Sequence, residues 1–454
     1  MDLKPLFEPR TMAVFGVSAN NYRHPANEIF NKNLLRYPVA VYGINPRGGT
    51  INGQSIHRNI SEVPEEIDMA VIAVRADLVP EVITECIKAK VRSAVVISGG
   101  FAEVGRGDLQ ERVVAIAKEA EFPFVGPNCL GLYVPSRVDT FFLPGERMVN
   151  PVVGNVSFVS QSGGILVDQM IKFTNEGVGL AKAISIGNKA LLGELDLLDY
   201  FTTDPATKVI AFYIEGFGGN EGRRFVLKAE KCGKPVVVLK TGKSPGGSKA
   251  VSSHTASLAG DYASFSAVLS QYNIVEAVNE LELISFCESL SAYAKPIEGR
   301  VGIVTVSGGH GAVAVDVCAA RGLLVPGLPE NIREDLCKNL SPSVQDIATL
   351  TNPIDLTGSG IDEDFVATVR SFCSMEDIDC VLALLLPYIP GITSDLGAKL
   401  GGIARQCGKP LIAYVPNVEK YAMLIEGFTL NGSPVAHSIE GAVLMVDALR
   451  RNRP

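Results

Sequence analysis

The chain has 454 residues, 47% of them hydrophobic and 20% charged, with a formal net charge of −8. That length exceeds what one hydrophobic core organises, so two or three domains are expected, and the acidic balance excludes an extended nucleic-acid surface while leaving room for local basic patches that meet phosphates. No apolar run reaches the roughly eighteen residues of a membrane span and the Met-Asp-Leu-Lys-Pro start lacks a secretory signal, which predicts a cytoplasmic protein that does not enter a membrane.

In chain order, the first 150 residues alternate short β-branched runs with helical stretches. Thr11–Val17, Val39–Ile44, Met69–Val74, Ser93–Ile97 and Pro123–Val125 read as strands. This alternation predicts an α/β fold with a parallel, doubly wound sheet. Ligands of such sheets bind at the carboxyl ends of strands, which directs attention to the turns Gly16–Pro25, Asn45–Gly53, Ser98–Gly105 and Gly126–Gly131. A second unit opens near Pro151 and a third near Lys295–Gly299. Gly154-Asn-Val-Ser-Phe-Val-Ser-Gln-Ser-Gly-Gly164 and Gly299-Arg-Val-Gly-Ile-Val-Thr-Val-Ser-Gly-Gly309 align without a gap, and Gly233-Lys-Pro-Val-Val-Val repeats as Gly408-Lys-Pro-Leu-Ile-Ala. Two related flavodoxin-like domains, 151–295 and 296–454, are therefore expected after a first domain over 1–150.

Ser160-Gln-Ser-Gly-Gly164 and Ser307-Gly-Gly-His-Gly311 each place small residues where a buried strand turns into a helix. Free backbone N–H groups and the positive helix end make such a turn an anion site, here over Ser162, Gly163 and Gly164 and over Gly308 and Gly309. The bland alternative is that glycine only permits the tight turn. Between the two repeats, Val251-Ser-Ser-His-Thr-Ala-Ser-Leu-Ala-Gly-Asp261 reads as a small-residue loop that offers the His254 imidazole for nucleophilic or acid–base work, against the alternative of a solvent-facing loop histidine. His310, fixed at a helix start, ranks below it, and His24 lies within reach of a ligand in the first turn. Glu215 ends the hydrophobic run Ile210–Ile214, where a carboxylate either orients an imidazole or faces water. Arg47 follows a strand end and either pairs with a phosphate or stands exposed.

Several chemistries are disfavoured. Gly16-Val-Ser-Ala-Asn-Asn21 lacks the two later glycines of a dinucleotide fingerprint, and Lys240-Thr-Gly-Lys-Ser244 has Val237 where a phosphate-loop motif needs glycine. The nine cysteines form no Cys-x-x-Cys pair and the five histidines show no metal-ligand spacing, so reduced thiols and no metal site are expected.

Taken together, Gly126-Pro-Asn-Cys-Leu-Gly131, Ser160-Gln-Ser-Gly-Gly164, Ser185-Ile-Gly-Asn188, Tyr213-Ile-Glu-Gly216 and Ser253-His-Thr-Ala-Ser-Leu-Ala-Gly260 resemble the α subunit of NDP-forming acyl-CoA synthetases along essentially the whole chain. Over roughly the first two thirds the chain also resembles the α subunit of succinyl-CoA synthetase, and its extra third domain favours the ADP-forming, acetate-type branch. The resemblance implies a Rossmann-like CoA-binding domain ahead of the two flavodoxin-like ones. Ser18, Ala19, Asn20, Asn21 and Arg47 would line the CoA site, Ser98 and Gly99 would lie near the pantetheine arm, and Asn128 and Cys129 near the thiol. His254 would be the phosphorylated residue and Glu215 its stabilising partner. Compared with succinyl-CoA synthetase, Arg47 replaces a lysine and Ser98–Gly100 replaces a threonine–glutamate pair.

The implied reaction converts acyl-CoA, ADP and phosphate into acid, CoA and ATP through acyl phosphate and phosphorylated His254. The family's ATP-grasp module is not recognisable in the sequence. A separate ATP-grasp β subunit would then bring ADP or ATP and Mg²⁺, in an α2β2 heterotetramer. Competing readings are a CoA-binding regulatory protein without phosphoryl transfer, a succinate–CoA ligase, and an NAD-dependent oxidoreductase.

Overall fold

The computed structural model describes residues 1–255, 262–272 and 274–453, with the backbone alone for 252–255. Two compact units divide the chain at Val278 and Asn279. Among the described residues no helix is long and apolar enough to cross a membrane.

The first unit holds two sheets. Strands β1 (Thr11–Phe15), β2 (Ala40–Ile44), β3 (Gly49–Ile51), β4 (Gln54–His57), β5 (Met69–Ile72), β6 (Ser93–Val96) and β7 (Phe124–Val125) form the first, in the order β3-β4-β2-β1-β5-β6-β7. Apart from the β3–β4 hairpin its pairings are parallel, and β4-β2-β1-β5-β6-β7 is the 3-2-1-4-5-6 order of dinucleotide-binding folds. Every residue of β1, β5 and β6 is buried, as helices on both faces require.

The second sheet combines β8 (Gly131–Val134), β9 (Val138–Asp139), β10 (Val153–Ser160), β11 (Leu180–Ser185), β12 (Val209–Ile214), β13 (Val236–Lys240) and β14 (Val275–Ala277) in the order β14-β13-β12-β10-β11-β8-β9. Its five parallel strands follow the flavodoxin-like 2-1-3-4-5 order. The antiparallel hairpin β8–β9 lies before residue 150 in sequence yet extends this sheet through β11.

The hairpin is tied to the helix Pro25–Arg36 by a buried ion pair. Lys32 Nζ lies 2.8 Å from the Asp139 carboxylate, with both side chains almost fully enclosed. The same ammonium donates to the carbonyls of Phe141 and Leu143 at 2.7 and 3.3 Å, and Asn33 exchanges hydrogen bonds with the Asp139 backbone.

The second unit carries β15 (Val301–Thr305), β16 (Thr349–Leu350), β17 (Ile354–Asp355), β18 (Cys380–Leu384), β19 (Leu411–Tyr414) and β20 (Val435–Ala436), ordered β16-β17-β15-β18-β19-β20. Its parallel strands repeat the 2-1-3-4-5 order, so the sequence repeat is a repeat of topology. The helix Glu280–Ala292, which precedes residue 295, packs in this unit against Ile439–Arg451.

One local expectation is corrected. The segment Val251–Asp261, read as a small-residue loop, is helical up to Thr255, in a helix that begins at Pro245. Ser244 starts it by accepting from the Gly247 N–H at 3.1 Å, and Pro245 stands at the first helical position, where its missing N–H costs nothing. The remainder of that expected loop, residues 256–261, lies outside the described residues, as does the His254 side chain.

Removing one member of the Lys32–Asp139 pair leaves the other buried without its counter-charge. Asp139→Ala should destabilise the first unit by about 3–5 kcal/mol, whereas Lys32→Met with Asp139→Leu should cost far less. Urea unfolding of the three proteins measures the difference.

Candidate functional site

In each parallel sheet the crevice lies where strand order reverses, at the carboxyl ends of the strands. In the first sheet this is between β1 and β5. Gly16 turns away from β1 with φ +104°, and a Cβ there would stand 2.3 Å from the Ala73 carbonyl, so only glycine lets the two strand ends approach. A cavity of about 460 Å³ opens at this point, walled by Ser18, Asn21, Asn45, Arg47, Arg58 and Arg75 among others. A larger one of about 780 Å³ adjoins it and shares His24, Ala73, Val74 and Arg75. Its walls continue through Ser98, Gly99, Asn128 and Cys129 to Ser162, Gly163, Gly164 and Asn188.

The first cavity is basic and the second largely apolar in its side chains. Ser18 shapes the first turn: its Oγ accepts from the Asn20 and Asn21 N–H groups at 3.3 and 3.1 Å, and its own N–H donates to Asn27. Ala19 and Asn20 belong to this turn but do not line either cavity. His24 divides the two cavities and caps the helix Pro25–Arg36, its Nδ1 accepting from the Ala26 N–H at 3.2 Å. That bond fixes a neutral ring with the proton on Nε2, and burial lowers its pKa in the same sense.

Ser98, buried, bridges the ends of β5 and β6. Its hydroxyl donates to the Val74 carbonyl at 2.6 Å and accepts from the Val74 N–H at 3.1 Å. Asn128 adopts φ +55° and donates through Nδ2 to Asn188 Oδ1 at 3.2 Å. Asn188 in turn donates to Glu103, whose other carboxylate oxygen accepts from the Gly100 and Phe101 N–H groups. Burial works to raise the Glu103 pKa, but these donors outweigh it and hold the carboxyl below its ordinary value. The turn at Gly187 passes so close that a Cβ there would be 2.3 Å from the Asn128 carbonyl. Cys129 is enclosed, its thiol pushed up to about 12 by burial, which leaves it un-ionised at neutral pH.

In the second sheet the reversal falls between β10 and β12, which brings Ser162–Gly164 and Glu215 to one crevice. Ser162 caps the helix Gly163–Asn175 by accepting from the Ile165 N–H at 3.4 Å. Glu215 is 5% exposed and follows directly on β12. In the second unit, Gly308 and Gly309 open the helix Gly308–Ala320 behind Ser307, whose hydroxyl is 3.0 Å from His310 Nδ1. A Cβ on Gly308 would meet the Asp355 carboxylate at 3.1 Å, so this helix start already has an anion beside it. Among the described residues no group of three or more His, Cys, Asp or Glu is placed to hold a metal ion.

Arg58 and Arg75 were not singled out in the sequence. Arg75 follows the third predicted strand, and the strand-end rule applied to that turn finds it; Arg58 comes to the cavity only through the β3–β4 hairpin.

Residues 10–135 match the CoA binding domain family and residues 153–290 the succinyl-CoA ligase like flavodoxin domain family. The chain is 34% identical over 421 residues to the α subunit of ADP-forming acetate–CoA ligase II of Pyrococcus furiosus, covering 90% of this chain and 88% of that one. The chain belongs to the family of ADP-forming acetate–CoA ligase α subunits. It is also 35% identical over 389 residues to ADP-forming acetate–CoA ligase I of Archaeoglobus fulgidus; the match takes in 85% of this chain but 55% of the length of that protein. The dinucleotide-forming acetyl-coenzyme A synthetase 1 of Ca. Korarchaeum cryptofilum, solved with phosphate and ADP, superposes with a TM-score of 0.88 at 31% identity, over 99% of this chain and 97% of that one.

Two substitutions probe this crevice. The His24 cap needs a neutral ring, and the folded-state pKa lies below the unfolded value near 6.5. Its stabilisation is therefore present above that value and lost as pH falls through the folded one. Against His24→Asn, whose cap does not titrate, the wild type should lose about 1 kcal/mol between about pH 7 and pH 4, read from thermal unfolding. Gly164 has open space where a Cβ would stand, unlike Gly163, whose Cβ would meet Leu130 at 3.1 Å. Gly164→Ala should keep or slightly raise stability, by up to about 1 kcal/mol, while weakening phosphate binding measured by calorimetry.

Proposed function

We propose that this chain is the α subunit of an ADP-forming acyl-CoA synthetase, an acid–CoA ligase that interconverts acyl-CoA, ADP and phosphate with acid, CoA and ATP. The observation that carries the reading is the pair of adjoining cavities, which run from three arginines at the reversal point of the first sheet to the helix start at Ser162–Gly164. An acyl-CoA molecule has this polarity: a phosphorylated nucleotide at one end, an extended neutral arm, and a thioester at the other.

In this reading residues 1–150 bind CoA, 151–295 carry the phosphohistidine segment, and 296–454 supply the second helix start at Gly308 and Gly309. Arg47 meets the CoA phosphates with Ser18, Ala19, Asn20 and Asn21 forming the turn beneath them. Ser98 and Gly99 border the pantetheine arm, and Asn128 and Cys129 the thioester. Phosphate, held by the N–H groups of Gly163 and Gly164 at the helix start, attacks the thioester carbonyl; the C–S bond breaks and CoA leaves as a thiolate that takes up a proton. A nitrogen of His254 then attacks the phosphorus of the acyl phosphate, releasing the acid, and Glu215 stabilises the resulting imidazolium. Such transfer depends on positioning and charge stabilisation, which buried amides and a carboxylate supply.

Transfer to ADP requires a nucleotide site, which we assign to a separate ATP-grasp β subunit carrying Mg²⁺, in an α2β2 assembly located in the cytoplasm. Acetyl-CoA is the proposed substrate. Incubation of the purified chain with acetyl-CoA and labelled phosphate should give an acid-labile, base-stable label that His254→Ala abolishes, and ATP should form only when the partner is added. Equal labelling of His254→Ala, or label on His310, would overturn the assignment; CoA binding with no label in the wild type would favour a regulatory CoA-binding protein.

A further inference from the structure

The end of β12 is held in an unusual way. Main-chain pairing of β12 with β10 stops at Tyr213 and with β13 at Ile214, so the sheet offers no partners to the next two residues, Glu215 and Gly216. Their backbone groups are satisfied by side chains instead. Gln161 Oε1 accepts from the Glu215 N–H at 2.6 Å and from the Gly216 N–H at 3.0 Å. Gln161 Nε2 donates to the Gly216 carbonyl at 2.8 Å and to the buried carboxylate of Glu194. Lys240, buried at the end of β13, donates to the Glu215 carbonyl at 2.8 Å. Lys189 donates to the Gly216 carbonyl at 3.0 Å while paired with Glu194 and Glu221.

Both N–H groups and both carbonyls of the dipeptide are thus pinned, and Gln161 supplies three of the five bonds. Its amide stands in for the peptide unit that another rung of sheet would provide. It also uses its full capacity, two acceptor sites and two donors, with the amide orientation dictated by what each side faces. Leucine fills the space without any of these bonds, and glutamate keeps the acceptors but sets one oxygen against Glu194 and the Gly216 carbonyl. Gln161 is the residue before Ser162, so a single side chain ties the anion turn to the carboxylate-bearing strand end.

We infer that Gln161 is a positioning residue for phosphoryl transfer, fixing the separation between the phosphate turn Ser162–Gly164 and Glu215. This rests on the function proposed above. A shift of about 1 Å in such a separation costs on the order of 100-fold in rate. CoA affinity, determined mainly by the first sheet, does not depend on it.

The test is single-turnover formation of the phosphoenzyme from acetyl-CoA and labelled phosphate, using the full chain as wild type, Gln161→Leu, Gln161→Glu, and Gln161→Glu combined with Glu194→Gln. Both single variants should lose about 100-fold in the saturating rate, with CoA affinity unchanged within about twofold. The double variant restores a donor opposite the new carboxylate and should recover about tenfold. Single variants at the wild-type rate, or a double variant no faster than Gln161→Glu, would overturn the inference. So would loss of CoA binding in the single variants, which would make Gln161 a general fold residue. An unlabelled wild type would instead bring down the phosphoryl-transfer reading, and this inference with it.

Discussion

A parallel strand with helices on both faces has its length sealed from solvent, and only its carboxyl end is open to a ligand. This constraint organises the whole molecule. The fully buried runs of β1, β5, β6 and β12 carry no chemistry of their own, and the candidate residues from Ser18 to Glu215 stand in turns or helix starts beyond strand ends, whereas His254 lies in the helix Pro245–Thr255. Because neighbouring strands reverse order at one point per sheet, the turns diverge there and leave a crevice. In the first unit two such crevices are exploited, one at β1 and β5 and one at β10 and β12.

Joining them demands close backbone approach and internal polar partners. Gly187 brings the turn after β11 against the Asn128 carbonyl, and the series Asn128, Asn188, Glu103 carries hydrogen bonds from the Gly126–Gly131 segment to the loop after β6. The Lys32–Asp139 pair performs the same service for the cavity wall at Phe142 and Leu143, since the lysine also holds the carbonyls on either side of Phe142. Lys32 and Asp139 are buried and oppositely charged, so each depends on the other being in place.

Much of this was legible in the sequence. The β-branched runs located the strands, the gapless repeat located two sheets of one topology, and the strand-end rule pointed to the turns that hold Arg47, Asn128, Ser162 and Glu215. The helix at His254 was missed although Ser244-Pro245 is an ordinary start signal, because Gly246, Gly247 and the serines that follow have poor intrinsic helix propensity and tertiary context overrides it. The hairpin β8–β9 joins the second sheet despite its position near the first, and nothing in the local pattern says which sheet edge a short strand completes.

The order of hydrophobic runs and turn residues by itself determined the α/β class, the repeat, and which turns face ligands, since those follow from periodicity and from the backbone freedom of glycine, both local properties. Which turns share a cavity was decided only by the tertiary structure. Gln161 reads as one residue of a small-residue motif until strand order sets β10 beside β12 and Glu215 arrives within hydrogen-bond reach. Hydrogen bonds between residues more than fifty positions apart depend on strand order, and strand order is fixed by how the helices and sheets bury their faces together, an outcome that no local window of sequence contains.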